Sequence, residues 1–581
     1  MYCQRFNSHV KCKNVKDFTC GLRSAAFLSI VILCVAIIFA THFFFSPPIG
    51  GKIIEPVYET DGKIILLPLD SRPPCKNAVI DLGRMAGYDV IAPPAELLDY
   101  YSLPGETDKC AEWLFKNAVG AKAAIISADQ LLCGGLLAAR RTAVTEDQIT
   151  DITKFLREFR QKYPQLPIYV FGILPRLQPQ DEIDGYYERR YIEEYSRLSG
   201  RKYFGADYDE NRLNELEQKI SAASMSKYLE KFSANAMLNR TLVELAQEGT
   251  ITELVLGQDD GEPFSIPNIE KEKLKKYLVD NKIGEDKVFL THGADEIAYS
   301  LLAAIKCAEL KETPKVYLKF ADNCADKIMP YMAVSMSETS HEKIRLLGGK
   351  IISDPTKADF ILFVSAVNNN DERAKSRADS ARFIKNALES GEQVALVDLS
   401  EHFRRDETIL PLLTEQNAAL NALIAYGGWN TASNSVGTTT AQAAVFAAMK
   451  KRADNRGELL NLYAKNIPLL NNRFLEDSFY LKQVIDEVNS ALKKTGYVNT
   501  ADLDLEHNYR FANNMLHRGM KQQIDIFRRL PAFCGKFSVT SPFGKIYLRA
   551  DNLNADISYP WPRTFEIYLS SSVNIYEMPS P

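Results

Sequence analysis

The chain has 581 residues, of which 46% are hydrophobic and 25% charged, and its formal net charge at pH 7 is -4. This balance is typical of globular proteins and excludes a disordered or fibrous chain, while the length predicts more than one domain. Because binding to a phosphate backbone needs a basic patch, we expect no nucleic-acid partner.

The first hydrophobic segment is long enough to span a membrane. Residues 25–45 read AAFLSIVILCVAIIFATHFFF, with His42 as the one ionisable group, and about 20 apolar residues cross a bilayer as a helix. Basic residues dominate the preceding residues 1–24, so the positive-inside rule makes them cytoplasmic. We therefore predict a single-pass signal anchor in the cell membrane, with the bulk of the chain extracytoplasmic. A cleaved signal peptide is the alternative, although the run exceeds the usual length of such a core.

An α/β pattern follows the predicted linker at 46–62. Near-continuous apolar runs separated by amphipathic stretches predict parallel sheets buried on both faces. We expect two Rossmann-like lobes, at 63–305 and 306–452, with a distorted TIM-like barrel plus an α/β lobe as the alternative. Residues 453–581 are predicted to form a helical region and a small antiparallel β unit. The predicted parallel strands lie at 63–70, 89–94, 123–130, 167–176, 253–260, 287–296, 315–323, 358–370, 393–400 and 423–430.

The cysteines and histidines form no recognisable metal or redox motif. Six of the ten cysteines follow the predicted span, and none belongs to a CxxC pair. One or two disulfides are left open, but a disulfide framework is not expected. No two histidines after the span stand at zinc-binding spacing. We therefore predict no cofactor and no metal site, and leave open Mg²⁺ or Ca²⁺ held by oxygen ligands.

Polar residues collect where the predicted strands end. Ligands of parallel α/β sheets and of barrels bind beyond the carboxyl ends of the strands, so these residues are candidates for a site. Acids at three of these ends are the candidate catalytic residues: Asp70, Asp129, Asp259 and Asp260. The candidate substrate-binding residues are Arg72, Gln130, Arg140, Arg176, His292, Asp295, Glu296, Trp429, Asn430 and Asn434.

Two of these strand ends carry adjacent acids, in LGQDDGEP and HGADEIA. Adjacent carboxylates repel each other unless a cation, a proton or a substrate offsets the charge. Helix capping explains Asp295 and Glu296 in the second motif. In the first motif capping uses one acid at most, and Gly261 then interrupts the chain. Asp259 and Asp260 are therefore the strongest candidates for the centre of a site.

A glycine-rich and hydroxyl-rich stretch at 427–450 leads directly into an apolar helix. This composition is typical of a helix N-terminus that faces a ligand, and equally of a tightly packed, capped loop. It matches neither the P-loop nor the GxGxxG spacing, and the chain contains no GxSxG motif. Nucleotide binding and serine-hydrolase chemistry thus receive no support.

Six ordered motifs resemble a known family. They are LLPLDSRPP, SADQLLCGGLLAARR, LGQDDGEP, HGADEIA, YGGWNTASNSVGTTTAQA and PWPRTFE. Together they look like the domain of unknown function 4127 family, over about residues 60–570. The resemblance implies little about activity, because the family name records none, and no catalytic residue is carried over from it.

Three functions are left open by these residues. The leading one is a hydrolase acting on a glycan, with two strand-end acids as acid and base or nucleophile. The second is a metal-assisted hydrolase with Asp259, Asp260 and Asp295 around a divalent ion. The third is a two-lobed module that binds a small ligand or sugar without turnover. The expected partners are a glycan or small molecule and the membrane, while the oligomeric state is left open.

Overall fold

The computed structural model describes residues 50–179, 183, 185–366 and 371–580. The predicted membrane span at 25–45 lies outside the described residues. Among the residues that are described, no helix combines the length and the apolar character needed to cross a membrane. Ile53–Pro581 make up one structural unit.

Each of the ten predicted strands is present, and each ends earlier than predicted. The short strands β1 and β9 were not predicted. The strands are β1 Lys52–Ile53, β2 Gly62–Leu67, β3 Tyr88–Ile91, β4 Ala121–Ser127, β5 Ile168–Leu174, β6 Glu253–Gln258, β7 Val288–His292, β8 Lys315–Phe320, β9 Lys350–Ile351, β10 Phe360–Ser365, β11 Val394–Asp398, β12 Ala425–Gly427, β13 Phe537–Ser541, β14 Gly544–Ser558 and β15 Tyr568–Met578.

Helices connect most of these strands, and a π-helix at Phe474–Val484 joins α15 to α16. The α-helices are α1 Asn77–Met85, α2 Thr107–Asn117, α3 Ala128–Cys133, α4 Leu136–Arg141, α5 Glu146–Lys162, α6 Tyr186–Tyr203, α7 Glu210–Lys219, α8 Ala222–Gln247, α9 Ile266–Asp280, α10 Ile297–Glu309, α11 Met336–Leu346, α12 Asp371–Glu389, α13 Leu410–Glu415, α14 Ala432–Arg452, α15 Arg456–Arg473, α16 Ile485–Lys494, α17 Tyr509–Phe527 and α18 Pro531–Cys534.

The first sheet is parallel and has the order β3-β2-β4-β5-β6-β7. Alternate side chains of a strand point to opposite faces, and both faces of this sheet are covered. In β2, Ile64 and Leu66 join a core that includes α1 and α10, whereas Ile65 and Leu67 join a second core with α5 and α8. This double burial explains the continuous apolar run that predicted the strand.

The second sheet is also parallel, with the order β12-β11-β10-β8-β9. If the strands of each sheet are numbered in chain order, the second sheet has the order 2-1-3-4-5. The first five strands of the first sheet have the same order, which is typical of doubly wound folds. Helix α14 follows β12 and packs against α10 and α11, so the two sheets share a core. Both sheets are open and end in edge strands, so the barrel alternative is wrong. The predicted α/β fold with parallel sheets is confirmed.

The C-terminal region begins with α15 and ends in an antiparallel sheet in which β14 pairs with both β13 and β15. Helix α15 packs against β15. The predicted antiparallel β unit is therefore confirmed. The loop that precedes β15 runs back to the first sheet, where the Trp561 indole N–H donates to the Ser71 hydroxyl at 2.9 Å. This contact brings the C-terminal region to the carboxyl end of β2.

Candidate functional site

A polar pocket of about 240 Å³ lies beyond the carboxyl ends of β6 and β7. Loops after β2, β6 and β7 contribute to its wall, and so do the start of α14 and the segment before β15. Residues that follow strands of both parallel sheets, together with residues of the C-terminal region, therefore form the wall. Nine of the fourteen predicted site residues line it: Arg72, Arg140, Arg176, Asp259, Asp260, His292, Asp295, Asn430 and Asn434.

The other five predicted residues lie around this lining. Asp70 is fully buried, and Gln130 is buried with neither amide atom hydrogen-bonded within the described structure. Asp129 lines a smaller pocket next to the first one, and burial raises the pKa of its carboxyl to about 7. Glu296 and Trp429 line a third cavity. Of the four acids predicted to be catalytic, only Asp259 and Asp260 thus face the large pocket.

Arg72 bridges two buried acids at one side of the pocket. Its Nη2 atom lies 2.6 Å from Asp70 Oδ2 and 2.6 Å from Asp295 Oδ1. The guanidinium carbon lies 5.4 Å from the centre of the Trp561 ring, a cation–π contact. Burial raises the pKa of Asp295, Arg72 lowers it and Asp70 raises it, with a net value above that of an ordinary aspartate. The strand-end acids of β2 and β7 therefore share one cation.

The capping role predicted for Asp295 is wrong, whereas Glu296 does lie at the N-terminal end of the next helix, as predicted. Helix α10 begins at Ile297, and no side chain caps it. Glu296 instead accepts a hydrogen bond from Lys343 Nζ at 2.6 Å, with both side chains almost fully buried. Both acids are thus held by cations from distant segments, which the local sequence pattern could not reveal.

A glycine lets the chain after β7 turn back toward Arg72. Gly293 has φ +94° and donates its N–H to the carbonyl oxygen of Gln258 at 2.7 Å. A Cβ atom at this position would lie 2.1 Å from Glu296 Oε1 and 2.7 Å from Ser433 Oγ. Only glycine combines this backbone conformation with such a close approach. The turn places the loop of β7 against the first turn of α14.

Asp259 and Asp260 lie side by side on the opposite wall. Asp259 Oδ2 lies 2.5 Å from Arg140 Nη2, and its Oδ1 accepts the backbone N–H of Asp260 at 2.9 Å. Asp260 Oδ2 lies 3.9 Å from Arg176 Nη1. Neither acid caps a helix, because α9 begins only at Ile266. The two neighbours therefore have different surroundings.

These surroundings shift the two carboxyl pKa values in opposite directions. Burial raises the pKa of Asp259, but Arg140 and Arg176 lower it by more, and the result lies below that of an ordinary aspartate. Burial and the charge of Asp259 raise the pKa of Asp260 to about 6, although the same arginines oppose the rise. At weakly acidic pH the pair therefore holds one proton, which resides on Asp260.

His292 supports the wall through a buried network. Its Nδ1 atom lies 2.8 Å from Glu342 Oε2, and its Nε2 atom lies 2.5 Å from Lys271 Nζ. Burial lowers the histidine pKa, Glu342 raises it, and Lys271 and Lys343 lower it, so the imidazole is predominantly neutral at pH 7. Because both ring nitrogens are engaged by protein groups, His292 positions the wall rather than transferring a proton. The partners Lys271, Glu342 and Lys343 were not predicted from the sequence.

Every arginine that lines the pocket faces an acid. Arg563, which was not predicted as a site residue although it lies in the PWPRTFE motif, contacts Glu566 through two hydrogen bonds. Its guanidinium carbon lies 5.0 Å from the Trp561 ring and 5.4 Å from the Phe565 ring. Together with the pairs of Arg72, Arg140 and Arg176, this gives a pocket rich in charged groups but nearly balanced in charge.

Some polar atoms of the wall have no hydrogen-bond partner in the described structure. These buried atoms are both amide atoms of Gln258 and Oδ1 of Asn434. The N-terminus of α14 also faces the pocket, where Thr431 and Ser433 pair their hydroxyls at 3.0 Å and Thr431 makes no cap. Unpaired buried polar groups are costly.

The one group of three potential metal ligands within the described residues is already occupied by a protein cation. Asp70, Cys75 and Asp295 bring their ligand atoms within 4.8 Å of one another, but Arg72 binds both carboxylates. Burial, together with both acids, raises the pKa of the Cys75 thiol well above its usual range. The trio of Asp259, Asp260 and Asp295, expected in the metal-assisted alternative, forms no such group among these residues. The six cysteines in this part of the chain form no disulfide.

We expect EDTA, Mg²⁺ and Ca²⁺ to leave the thermal unfolding temperature unchanged, because Arg72 already neutralises Asp70 and Asp295. Differential scanning calorimetry of the purified chain with and without each reagent measures this. A bound ion would stabilise the fold in proportion to the logarithm of its concentration. A rise in the unfolding temperature with ion concentration would contradict the assignment of Arg72 as the cation that neutralises Asp70 and Asp295.

The fold and the pocket define a class: an α/β protein with two parallel sheets and a polar pocket beyond the carboxyl ends of its strands. The family model described as "Protein of unknown function (DUF4127)" matches residues 64–570. The chain belongs to this family, so the resemblance of the six motifs is confirmed. Searches of curated proteins and of solved structures gave no match.

Proposed function

We propose that the chain is a hydrolase that cleaves a glycan in the large pocket. The observation that carries this proposal is the Asp259–Asp260 pair, whose two carboxyl groups have pKa values shifted in opposite directions. Glycoside cleavage needs one carboxylic acid that keeps its proton and one carboxylate that does not. Asp260 supplies the carboxylic acid and Asp259 the carboxylate, and both residues line the large pocket.

The lining of the pocket favours a neutral ligand with many hydroxyl groups. Each hydroxyl both donates and accepts hydrogen bonds, which suits a wall of alternating carboxylate and guanidinium groups. A phosphate or another strong anion would instead require an excess of positive charge. Asn430, whose side chain is partly exposed, adds a neutral polar group to the wall.

In the proposed reaction Asp260 donates its proton to the glycosidic oxygen as the bond to the anomeric carbon breaks. Asp259 stays ionised and acts as the nucleophile or as the base for water. Arg140, 2.5 Å from Asp259, holds that carboxylate in place. Asp295, fixed by Arg72, is placed to accept a hydroxyl hydrogen bond from the substrate.

We also propose that the apolar run at 25–45 anchors the chain and keeps the pocket outside the cytoplasm. The support is the length of the run and the basic residues before it. Glycans of the cell surface would then be accessible to the pocket.

Incubation of the purified full chain with a panel of oligosaccharides tests the proposed activity. We expect new reducing ends from at least one glycan, at a rate that Asp259→Asn abolishes. Asp280→Asn serves as the matched control, because Asp280 is exposed at the end of α9. If calorimetry shows that a glycan binds but long incubation gives no product, the chain is a binding module and not a hydrolase. If no glycan is bound or cleaved, both functions are overturned.

A further inference from the structure

A second pocket, of about 40 Å³, adjoins the large one. Arg140, Arg176 and Asp259 line both pockets. The ion pair between Arg140 and Asp259 is therefore part of the wall that the two pockets share. A substituent on a sugar ring in the large pocket would pass this pair to enter the small one.

Several apolar side chains line the small pocket, and three of its polar residues bond to the backbone. Lys231 Nζ donates to the carbonyl oxygen of Arg140 at 2.7 Å, and Asn235 Nδ2 to that of Ile173 at 3.2 Å. Asp129 Oδ2 accepts the backbone N–H of Ile173 at 3.0 Å. The apolar residues of the wall include Leu132, Leu136, Ala139, Ile173 and Leu238.

The small pocket has much less free space than the large one, about 40 Å³ against about 240 Å³. A methyl group fits there, and the apolar part of the wall favours it. At the entrance, Asp259 Oδ1 accepts one hydrogen bond, from the backbone N–H of Asp260, and a carboxylate oxygen can accept a second. A methyl group and an N–H donor occur together in an acetamido group.

We propose that the small pocket, here termed the acetyl pocket, binds the acetamido group of an N-acetylated sugar whose ring lies in the large pocket. The methyl group contacts Ala139 and Leu238, and the amide N–H donates to Asp259. The inference rests on the proposed glycan specificity of the large pocket. It narrows the substrate class to glycans of N-acetylhexosamines.

The same placement gives the adjacent acids separate tasks. On such a substrate the acetamido oxygen replaces Asp259 as the nucleophile: it attacks the anomeric carbon while the glycosidic C–O bond breaks, and Asp260 delivers its proton to the leaving oxygen. Asp259 accepts the N–H of the cyclic intermediate, whose positive charge it stabilises. Water then opens the ring and passes a proton to Asp260, which restores the acid and the acetamido group.

Isothermal titration calorimetry of the full chain with matched monosaccharides tests the acetyl pocket without requiring turnover. The probes are N-acetylglucosamine, N-acetylgalactosamine and N-acetylmannosamine, each beside its parent hexose and amine. We expect at least one acetylated member to bind about tenfold more tightly than its parents, the effect of a buried methyl group and a hydrogen bond to a charged acceptor. Ala139→Leu fills the pocket and should bring this ratio to about one, because the added side chain takes the volume of the methyl group.

Ala138→Leu is the matched control, since Ala138 lies on the same helix outside the pocket lining and should keep the wild-type ratio. Equal binding of acetylated and parent sugars by the wild-type chain would overturn the acetyl pocket and leave the glycan hydrolase standing. Tighter binding of 6-deoxyhexoses than of acetylated sugars would also overturn it, in favour of a bare methyl group. No binding of any sugar would overturn both proposals.

Discussion

Replacement of Asp260 by Asn is expected to lower kcat/KM for the cleaved glycan by about 10²–10⁴-fold, the usual contribution of a positioned general acid. The amide of asparagine keeps the size of the side chain but carries no transferable proton. KM should change much less than kcat, because the substrate hydroxyls are bound by other groups such as Asp295 and Asn430. Initial rates of the wild type, Asp260→Asn and the exposed control Asp280→Asn provide the comparison.

The pH profile gives this prediction a signature that structural damage would not produce. Since the pKa of Asp260 lies at about 6, wild-type kcat/KM should fall as pH rises through that value, because the acid loses its proton. The pKa of Asp259 is lowered, so its carboxylate stays ionised over the same range. In Asp260→Asn the decline near pH 6 should disappear along with most of the rate. A variant that keeps the wild-type decline would show that another group is the acid.

The strands could be predicted because burial on both faces requires uninterrupted apolar residues. All six residues of β10, Phe360–Ser365, are buried. The strand ends were equally visible, because the chain becomes polar where it leaves the sheet, as at Asp259 and Asp260 after β6. For this reason the sequence located most of the pocket wall. It could not separate acids that face the pocket from Asp70, which lies beneath it with no exposed surface.

The partners of these acids could not be predicted, because they come from distant parts of the chain. Arg72 and Asp295 are 223 positions apart, and Arg140 and Asp259 are 119 apart. The local sequence predicted Asp295 to be a helix cap, and only the turn of the chain after β7 brings it to Arg72. Lys343 illustrates a second difficulty, since a charged residue on a helix is normally exposed. Its side chain is 1% exposed and binds Glu296.

Replacement of Arg72 by Met is expected to lower the free energy of unfolding by about 3–5 kcal/mol at neutral pH, the usual cost of removing one partner of a buried ion pair. Methionine retains much of the aliphatic volume, so the loss reflects charge more than a cavity. Asp70 and Asp295 would remain as adjacent buried carboxylates without a cation. Urea denaturation measures the change. Arg157→Met is the control, because the pair of Arg157 with Glu248 is exposed and screened by solvent and so contributes little to stability.

The loss of stability caused by Arg72→Met should become smaller as pH falls. In the wild-type fold the pKa of Asp295 already lies above its ordinary value, and loss of Arg72, which lowers it, must raise it further. A carboxyl group whose pKa is raised by folding favours the folded state at low pH, and that stability is lost as pH rises through the raised pKa. The double variant Arg72→Met/Asp295→Asn should therefore be more stable than Arg72→Met at neutral pH, with the advantage vanishing in acid. If Arg72→Met lost no more stability than Arg157→Met, Arg72 could not be the cation that holds these two strand ends together.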